Sequence, residues 1–370
     1  MTCNNFEYKS FKQSIEEVYS LSGFRPENYA PFFAEKIYEK NVEKLVNFSE
    51  CQDNIPKIIH FIWLGGELPL YLSFCINSWK KFHPEWQFIL WDDQKVASFN
   101  IKNRILYDCV KNIGCKVDIL RLEILQQMGG VYVDTDMFCL KSIDSLIKME
   151  YFHSTEANGY PVVNNGVIGC VPNNHIINDM ILELSNVPID RTNLANLGNY
   201  EILKIAGPIF ITNFFIKKIT ENNLYFGENE IILPPSYFSP FSEPHCGDFW
   251  SGRLPLYRVI EKHSLKESFA IHLSNNSWKP FVQRNGRLLE MLKKRKLVFT
   301  KSKNISDILR SKNKYGQTPL LLATINNWQL ELEELLRSSA NYNDVDKKGL
   351  SVLDYAKKNK NYNFFKPYII

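Results

Sequence analysis

Between Tyr8 and Phe48 apolar positions recur every third or fourth residue among charged ones, as in PFFAEKIYEKNVEKLVNFSE, and this spacing predicts two or three helices. Pro56 then introduces an apolar, β-rich run from Lys57 to Leu64 that Gly65 and Gly66 stop, the pattern of a buried strand ending in a tight turn. A helical stretch from Tyr71 to Phe82, closed by His83-Pro84, leads to a second strand over Trp86–Trp91. Strand, helix and strand within about forty residues match the size of a βαβ unit, so an α/β fold with a parallel or mixed sheet is predicted.

Val117 to Met128 reads as an amphipathic helix ended by Gly129-Gly130, and Val131-Tyr132-Val133 as a strand by β-propensity. Two carboxylates, Asp134 and Asp136, sit where that strand runs out. Ligand sites of open α/β sheets lie at the carboxyl ends of strands, and oxygen ligands two residues apart suit Mn²⁺ or Mg²⁺. On the preceding helix Asp118 and Arg121 are three residues apart and therefore share a face. Further on, Val162–Val171 alternates small, apolar and amide residues, Ile176–Leu184 reads as helix, and the proline-rich stretch from Leu233 to His245 reads as an ordered loop.

A chain of 370 residues exceeds one average core, so one large domain and a smaller one are expected. With 45% hydrophobic residues it can bury enough apolar surface to fold, which excludes disorder as the main description. The formal charge of +4 points away from nucleic acid as the main partner. Neither a signal peptide nor a membrane span is read in the sequence, and a soluble protein made in the cytoplasm is expected. The eight cysteines form no CxxC pair, so buried thiols in a reducing compartment are expected rather than zinc or redox sites.

The run DILRLEILQQMGGVYVDTDM resembles the signature of the DXD-containing sugar transferases of glycosyltransferase family 32, and is similar also to the catalytic domain of the large clostridial glucosylating toxins. Five further segments agree with these families in order: IPKIIHFIWLGG (55–66), Asn164-Asn165-Gly166, Gly207-Pro208, LPPSYFSP around Pro234, and HLSNNSWKP (272–280) with its Ser277-Trp278. The resemblance implies a GT-A fold, a mixed and mainly parallel sheet flanked by helices, and transfer of a sugar from a UDP- or GDP-sugar with retention at the anomeric carbon. It places Trp63 on the nucleobase, although a core tryptophan is the alternative, and Tyr132 and Asp134 near ribose and metal. Asp136 would ligate the ion, Asp118 and Arg121 would grip the donor sugar, and Asn165 would face it, with the choice between Asn164 and Asn165 left open. His272 would lie near the metal and diphosphate, while Ser277 and Trp278 would close over the phosphates. Where family 32 chains often show His-His-Trp, this chain has His272-Leu273-Ser274.

In the last sixty or so residues Gly316, Thr318, Leu320 and Ala323 recur as Gly349, Ser351, Leu353 and Ala356, an offset of 33. GQTPLLLATINNWQLELEELLRSSANYNDVD resembles one ankyrin repeat and GLSVLDYAKK the beginning of another, which implies either a lid on the enzyme or a surface for a protein partner. The organisation expected is therefore a helical N-terminal extension (1–54), a glycosyltransferase domain (55–290) and an all-α ankyrin-like unit (300–370). The acceptor is left open among glycan, glycolipid and protein, with Asp248 and Trp250 as candidates for its side of the cleft. Two other classes compete: a non-catalytic interaction module on a degenerate scaffold, and a metal-dependent phosphohydrolase. The likeness to toxins also allows delivery into a host cell as an effector.

Overall fold

The computed structural model describes residues 9–22, 32–47, 52–68, 70–156, 163–189, 199–221, 226–240, 260–261, 264–273, 291–301, 305–328, 332, 335, 340–341 and 343–359. They fall into two compact units, the first drawn from Met1–Glu67, Ser78–Glu243 and Ile260–Ser274, the second from Leu68–Asn77, Pro244–Val259 and Asn275–Ile370.

The first unit is built on a six-stranded sheet. Its strands are β1 (Ile58–Ile62), β2 (Gln87–Trp91), β3 (Gly130–Val133), β5 (Tyr151–Thr155), β6 (Val163–Cys170) and β7 (Glu230–Leu233), in the order β2-β1-β3-β6-β5-β7. β1 pairs parallel with β2 and β3, and β5 parallel with β7, whereas β6 runs antiparallel to both its neighbours. The sheet is mixed α/β and mainly parallel, with one reversed strand. A short antiparallel ribbon joins β4 (Met137–Cys139) to β8 (Ala270–His272).

Each element follows from its local residues. β1 is buried from Ile59 to Ile62 and ends before Trp63, two residues short of the apolar run. Helix α6 (Ile113–Met128) begins four residues earlier than its apolar spacing predicts, because the side chain of Asn112 caps it by accepting from the Cys115 N–H. Gly130, at φ +90°, enters β3 where a Cβ would meet the Ile58 carbonyl at 2.7 Å, so only glycine allows β3 to lie this close to β1. Buried His60 closes the same junction. Its Nε2 donates to the Gly129 carbonyl (2.9 Å) and its Nδ1 accepts from the Trp91 indole (3.2 Å).

The N-terminal helices α1 (Phe11–Ser22) and α2 (Phe32–Asn47) belong to this unit. Asn41 of α2 donates to the Glu230 and Gly227 carbonyls at 2.6 and 2.9 Å, and the Tyr38 and Tyr237 hydroxyls share a hydrogen bond of 3.0 Å. Cys115, Cys139 and Cys170 are buried, and burial pushes their thiols above the ordinary range, as inert core positions require. No helix among the described residues is long and apolar enough to cross a membrane.

In the second unit an apolar cluster gathers Leu292, Leu309, Leu320, Ala323, Val352 and Ala356 with neighbours. The 33-residue repeat has a local physical counterpart. Gly316 and Gly349 take φ +79° and +75°, and Thr318 and Ser351 each cap a seven-residue helix, Pro319–Ile325 and Val352–Lys358. Much of the segment between these helices lies outside the described residues.

Candidate active site

Asp134 and Asp136 follow β3 directly, and parallel pairing with β1 brings the chain leaving both strands to one edge of the sheet. Trp63 leaves β1 at that edge. It is half-buried, and its indole N–H donates to the Glu67 carbonyl at 3.0 Å, so it does not belong to the apolar interior.

β4 continues from Asp136 and pairs with β8 in the register Met137↔His272. The buried Trp79 indole fixes β4 by donating to the Met137 carbonyl (2.9 Å), and the Leu273 N–H donates to the Asp136 carbonyl (3.0 Å). His272 Nε2 consequently lies 3.4 Å from Asp136 Oδ1 and 3.7 Å from Asp134 Oδ2. Ligating atoms of the three side chains all fall within 4.8 Å of one another. Burial alone would lower the imidazole's pKa, but the two carboxylates raise it to about 9.

The pairing of β5 with β6 jumps from His153↔Ile168 to Ser154↔Asn164. Asn165, Gly166 and Val167 therefore have no partner on β5 and lie along the end of β3, where the Gly166 carbonyl accepts the Asp134 N–H at 2.8 Å. The two asparagines now separate. Asn164 turns onto its own loop, accepting from the Gly166 N–H and donating to Ser239, while Asn165 Nδ2 donates to Asp118 Oδ1 at 2.7 Å.

Arg121 is buried and occupied by protein. Its NH2 lies 2.7 Å from Asp118 Oδ1, its NH1 donates to the Asn165 carbonyl and stands 3.5 Å from Asp134 Oδ1, and its guanidinium sits 4.4 Å from the Tyr132 ring centroid. Its remaining Nε has no hydrogen-bond partner, and neither has Asn165 Oδ1. Burial pushes Asp118 up to about 7 against the pull of Arg121. Burial also lifts the Tyr132 hydroxyl well above its usual range, so it stays protonated and donates to Asp134 Oδ1. Asp134 thus divides its oxygens: Oδ1 is held by the protein, and Oδ2 faces His272 and Gly166.

That space suits a divalent cation, since two carboxylates and an imidazole form a hard-to-borderline ligand set. A Cβ on Gly166 would stand 3.2 Å from Asp134 Oδ2 and 3.5 Å from His272 Cε1, so glycine keeps the pocket open. Gly207 answers a different need: a Cβ there would meet the Leu203 backbone at 2.9 Å and Asp118 Oδ2 at 3.1 Å, so glycine lets this turn pack closely beside Asp118. The roles of these two glycines escaped the sequence reading, because a missing side chain signals its purpose only once its neighbours are known. Ser277, Trp278, Asp248 and Trp250 lie outside the described residues.

Known proteins resemble parts of this chain. Residues 69–153 match the family described as glycosyltransferase sugar-binding region containing DXD motif. The inositol phosphoceramide mannosyltransferase 1 of Schizosaccharomyces pombe is 31% identical over 219 residues, 54% of this chain and 63% of that enzyme. A glycosyltransferase of Acanthamoeba polyphaga mimivirus, uncharacterized by its own name, is 27% identical over 244 residues, 62% of this chain and 86% of the viral protein. Among solved structures the ligand-free glycosyltransferase domain of the YGT toxin aligns over 78% of this chain and 99% of its own length, at 12% identity and a TM-score of 0.36. The chain therefore spans less than two thirds of the fission-yeast enzyme it matches. The acidic pair at the end of β3 thus falls inside the stretch, residues 69–153, that matches a DXD-type glycosyltransferase sugar-binding region.

Proposed function

We propose that this domain, of GT-A type, transfers a hexose from a nucleotide-diphosphate sugar to an acceptor hydroxyl with retention at the anomeric carbon. The observation that carries the reading is the convergence of Asp134, Asp136 and His272 beside the buried Asp118–Arg121–Asn165 cluster. The likeness to an inositol phosphoceramide mannosyltransferase favours mannose as the sugar and the inositol head group of a sphingolipid as the acceptor.

Asp134 Oδ2, Asp136 and His272 are the residues that would hold Mn²⁺ or Mg²⁺. When bound, such an ion supplies charge neutralisation to the diphosphate leaving group. Tyr132 and Arg121 hold Asp134 in the required orientation. Asp118, fixed by Arg121 and Asn165 with Gly207 beside its Oδ2, presents an acceptor for donor-sugar hydroxyls. Trp63, at the same sheet edge, offers an indole face to the nucleobase. The sugar–phosphate bond breaks with its electron pair leaving on the diphosphate, the acceptor oxygen bonds to the anomeric carbon on the same face, and its proton passes to the departing phosphate oxygen. Asp118 is not offered as a nucleophile, because one of its oxygens is committed to Arg121 and Asn165. The 33-residue repeat is read as an ankyrin-like unit.

The test is a donor-hydrolysis screen of UDP- and GDP-sugars with and without Mn²⁺, on the natural chain and on an Asp134→Asn, Asp136→Asn variant. Metal-dependent hydrolysis of one donor, abolished in the variant, is expected. A variant that keeps its turnover would remove the metal site from the mechanism, and metal-independent phosphate release from simple monoesters would favour the phosphohydrolase.

A further inference from the structure

The second unit carries a basic surface that the transfer reaction does not use. Residues 291–370 hold 16 Lys and Arg against seven Asp and Glu, whereas the preceding 290 residues hold 28 against 33. The net charge of +4 thus conceals a C-terminal segment of opposite sign to the rest. The turns at Gly316 and Gly349 concentrate this charge. The Lys347 N–H donates to the Tyr315 carbonyl (3.1 Å) and the Lys312 ammonium approaches the Val345 carbonyl (3.5 Å), so the two turns form one surface.

On that surface Lys312, Lys314, Lys347 and Lys348 are exposed, as are two large apolar side chains, Tyr315 (57%) and Val345 (44%). The acids of these turns do not offset the lysines outwardly. Asp346 is buried and accepts from the Lys348 and Leu350 N–H groups and the Tyr355 hydroxyl, and half-buried Asp344 accepts from Asn341.

We infer that this double turn docks the protein on an anionic lipid surface. Lysines gain from any polyanion and a tyrosine ring can stack on a base, but an exposed aliphatic side chain such as Val345 gains nothing from a charged phosphate or carboxylate chain. A bilayer interface rewards both features at once: anionic head groups pair with the ammonium groups, and the head-group boundary takes up the aromatic ring and the aliphatic tip. The inference goes beyond the transfer reaction and stands independently of it.

The test floats the full chain on vesicles of phosphatidylcholine alone and of phosphatidylcholine with about 30 mol% phosphatidylserine, at about 0.1 M and about 1 M salt. Binding to the anionic vesicles only, and its loss at high salt, are expected. Replacing Lys312, Lys314, Lys347 and Lys348 together by Gln should weaken binding by at least about tenfold, and Tyr315→Ser with Val345→Ser should weaken it by about tenfold at unchanged charge. Donor hydrolysis measured without vesicles should be unchanged in both variants, which separates this surface from the active site. Equal binding to neutral vesicles, or retention of binding in the lysine variant, overturns the inference. So does a Tyr315, Val345 variant that binds as the natural chain does while polyglutamate or RNA competes fully, since the surface would then serve a polyanion.

Discussion

His272 Nε2 lies 3.4 Å from Asp136 Oδ1 although 136 positions separate the two residues, because the ribbon of β4 and β8 sets His272 opposite Met137. The acidic pair is thereby joined by an imidazole from the far end of the first unit. Gly166, from the reversed strand β6, supplies the open space.

Filling that space is the sharpest test of the pocket. Gly166→Ala should weaken Mn²⁺ binding by at least about tenfold, roughly 1.4 kcal/mol, because the new methyl stands against Asp134 Oδ2. Titration calorimetry with Mn²⁺ in the presence of a nucleoside diphosphate reads the effect. Full affinity in a folded Gly166→Ala protein would place the ion elsewhere.

Arg121 is expected to act first on stability. Arg121→Met leaves the Asp118 carboxylate buried without its counter-charge, a loss of about 3–5 kcal/mol in urea unfolding. Adding Asp118→Asn should recover part of that loss, since a neutral amide needs no cation. A single variant as stable as the natural chain would show that the pair carries no such coupling.

Trp63→Ala should weaken nucleoside diphosphate binding by about 1–3 kcal/mol, the size of one lost stack, while the half-buried position limits the cost to folding. Affinity measured by calorimetry with UDP and GDP decides the matter. Unchanged values for both would leave the base without this partner.

His60 and His153 should each destabilise the fold in mild acid, while Asp118 and His272, whose values are raised, work in the opposite direction. Burial lowers His60 to about 4 and His153 to about 3, so both are neutral in the native state, while in the unfolded chain they protonate near 6.5. At these two residues the unfolded state binds more protons than the native one, and their contribution to stability falls as pH drops from about 6.5 towards the native values. Between pH 7.5 and pH 5 His60 alone accounts for about 2 kcal/mol. Urea unfolding of the natural chain and of His60→Gln at the two pH values isolates this contribution: from pH 7.5 to pH 5 the natural chain should lose about 2 kcal/mol relative to the variant. The same pH slope in both proteins would mean that His60 is charged in the fold or already neutral in the unfolded chain.

Much of the site was legible in the sequence. The strand ending at Val133, the carboxylates two residues apart beyond it, and Asp118 and Arg121 on one helix face follow from β-propensity and from spacings of two and three. The choice between Asn164 and Asn165 did not follow, because it depends on where β6 leaves β5. The short strands β4, β5, β7 and β8 were also not read. Three to five residues give too little periodicity to stand out, and they form strands only because a neighbouring ladder accepts them.

The amino-acid order by itself determined which chemical groups this protein has and which lie within one turn or one strand of each other, since local backbone geometry allows few choices. The tertiary structure decided which distant groups meet. Ladder register carried His272 to Asp136 and Asn165 to Asp118, and the absence of a Cβ at Gly166 left room beside Asp134. Those outcomes depend on pairing and close packing between segments far apart in the chain, and no spacing along it encodes them directly.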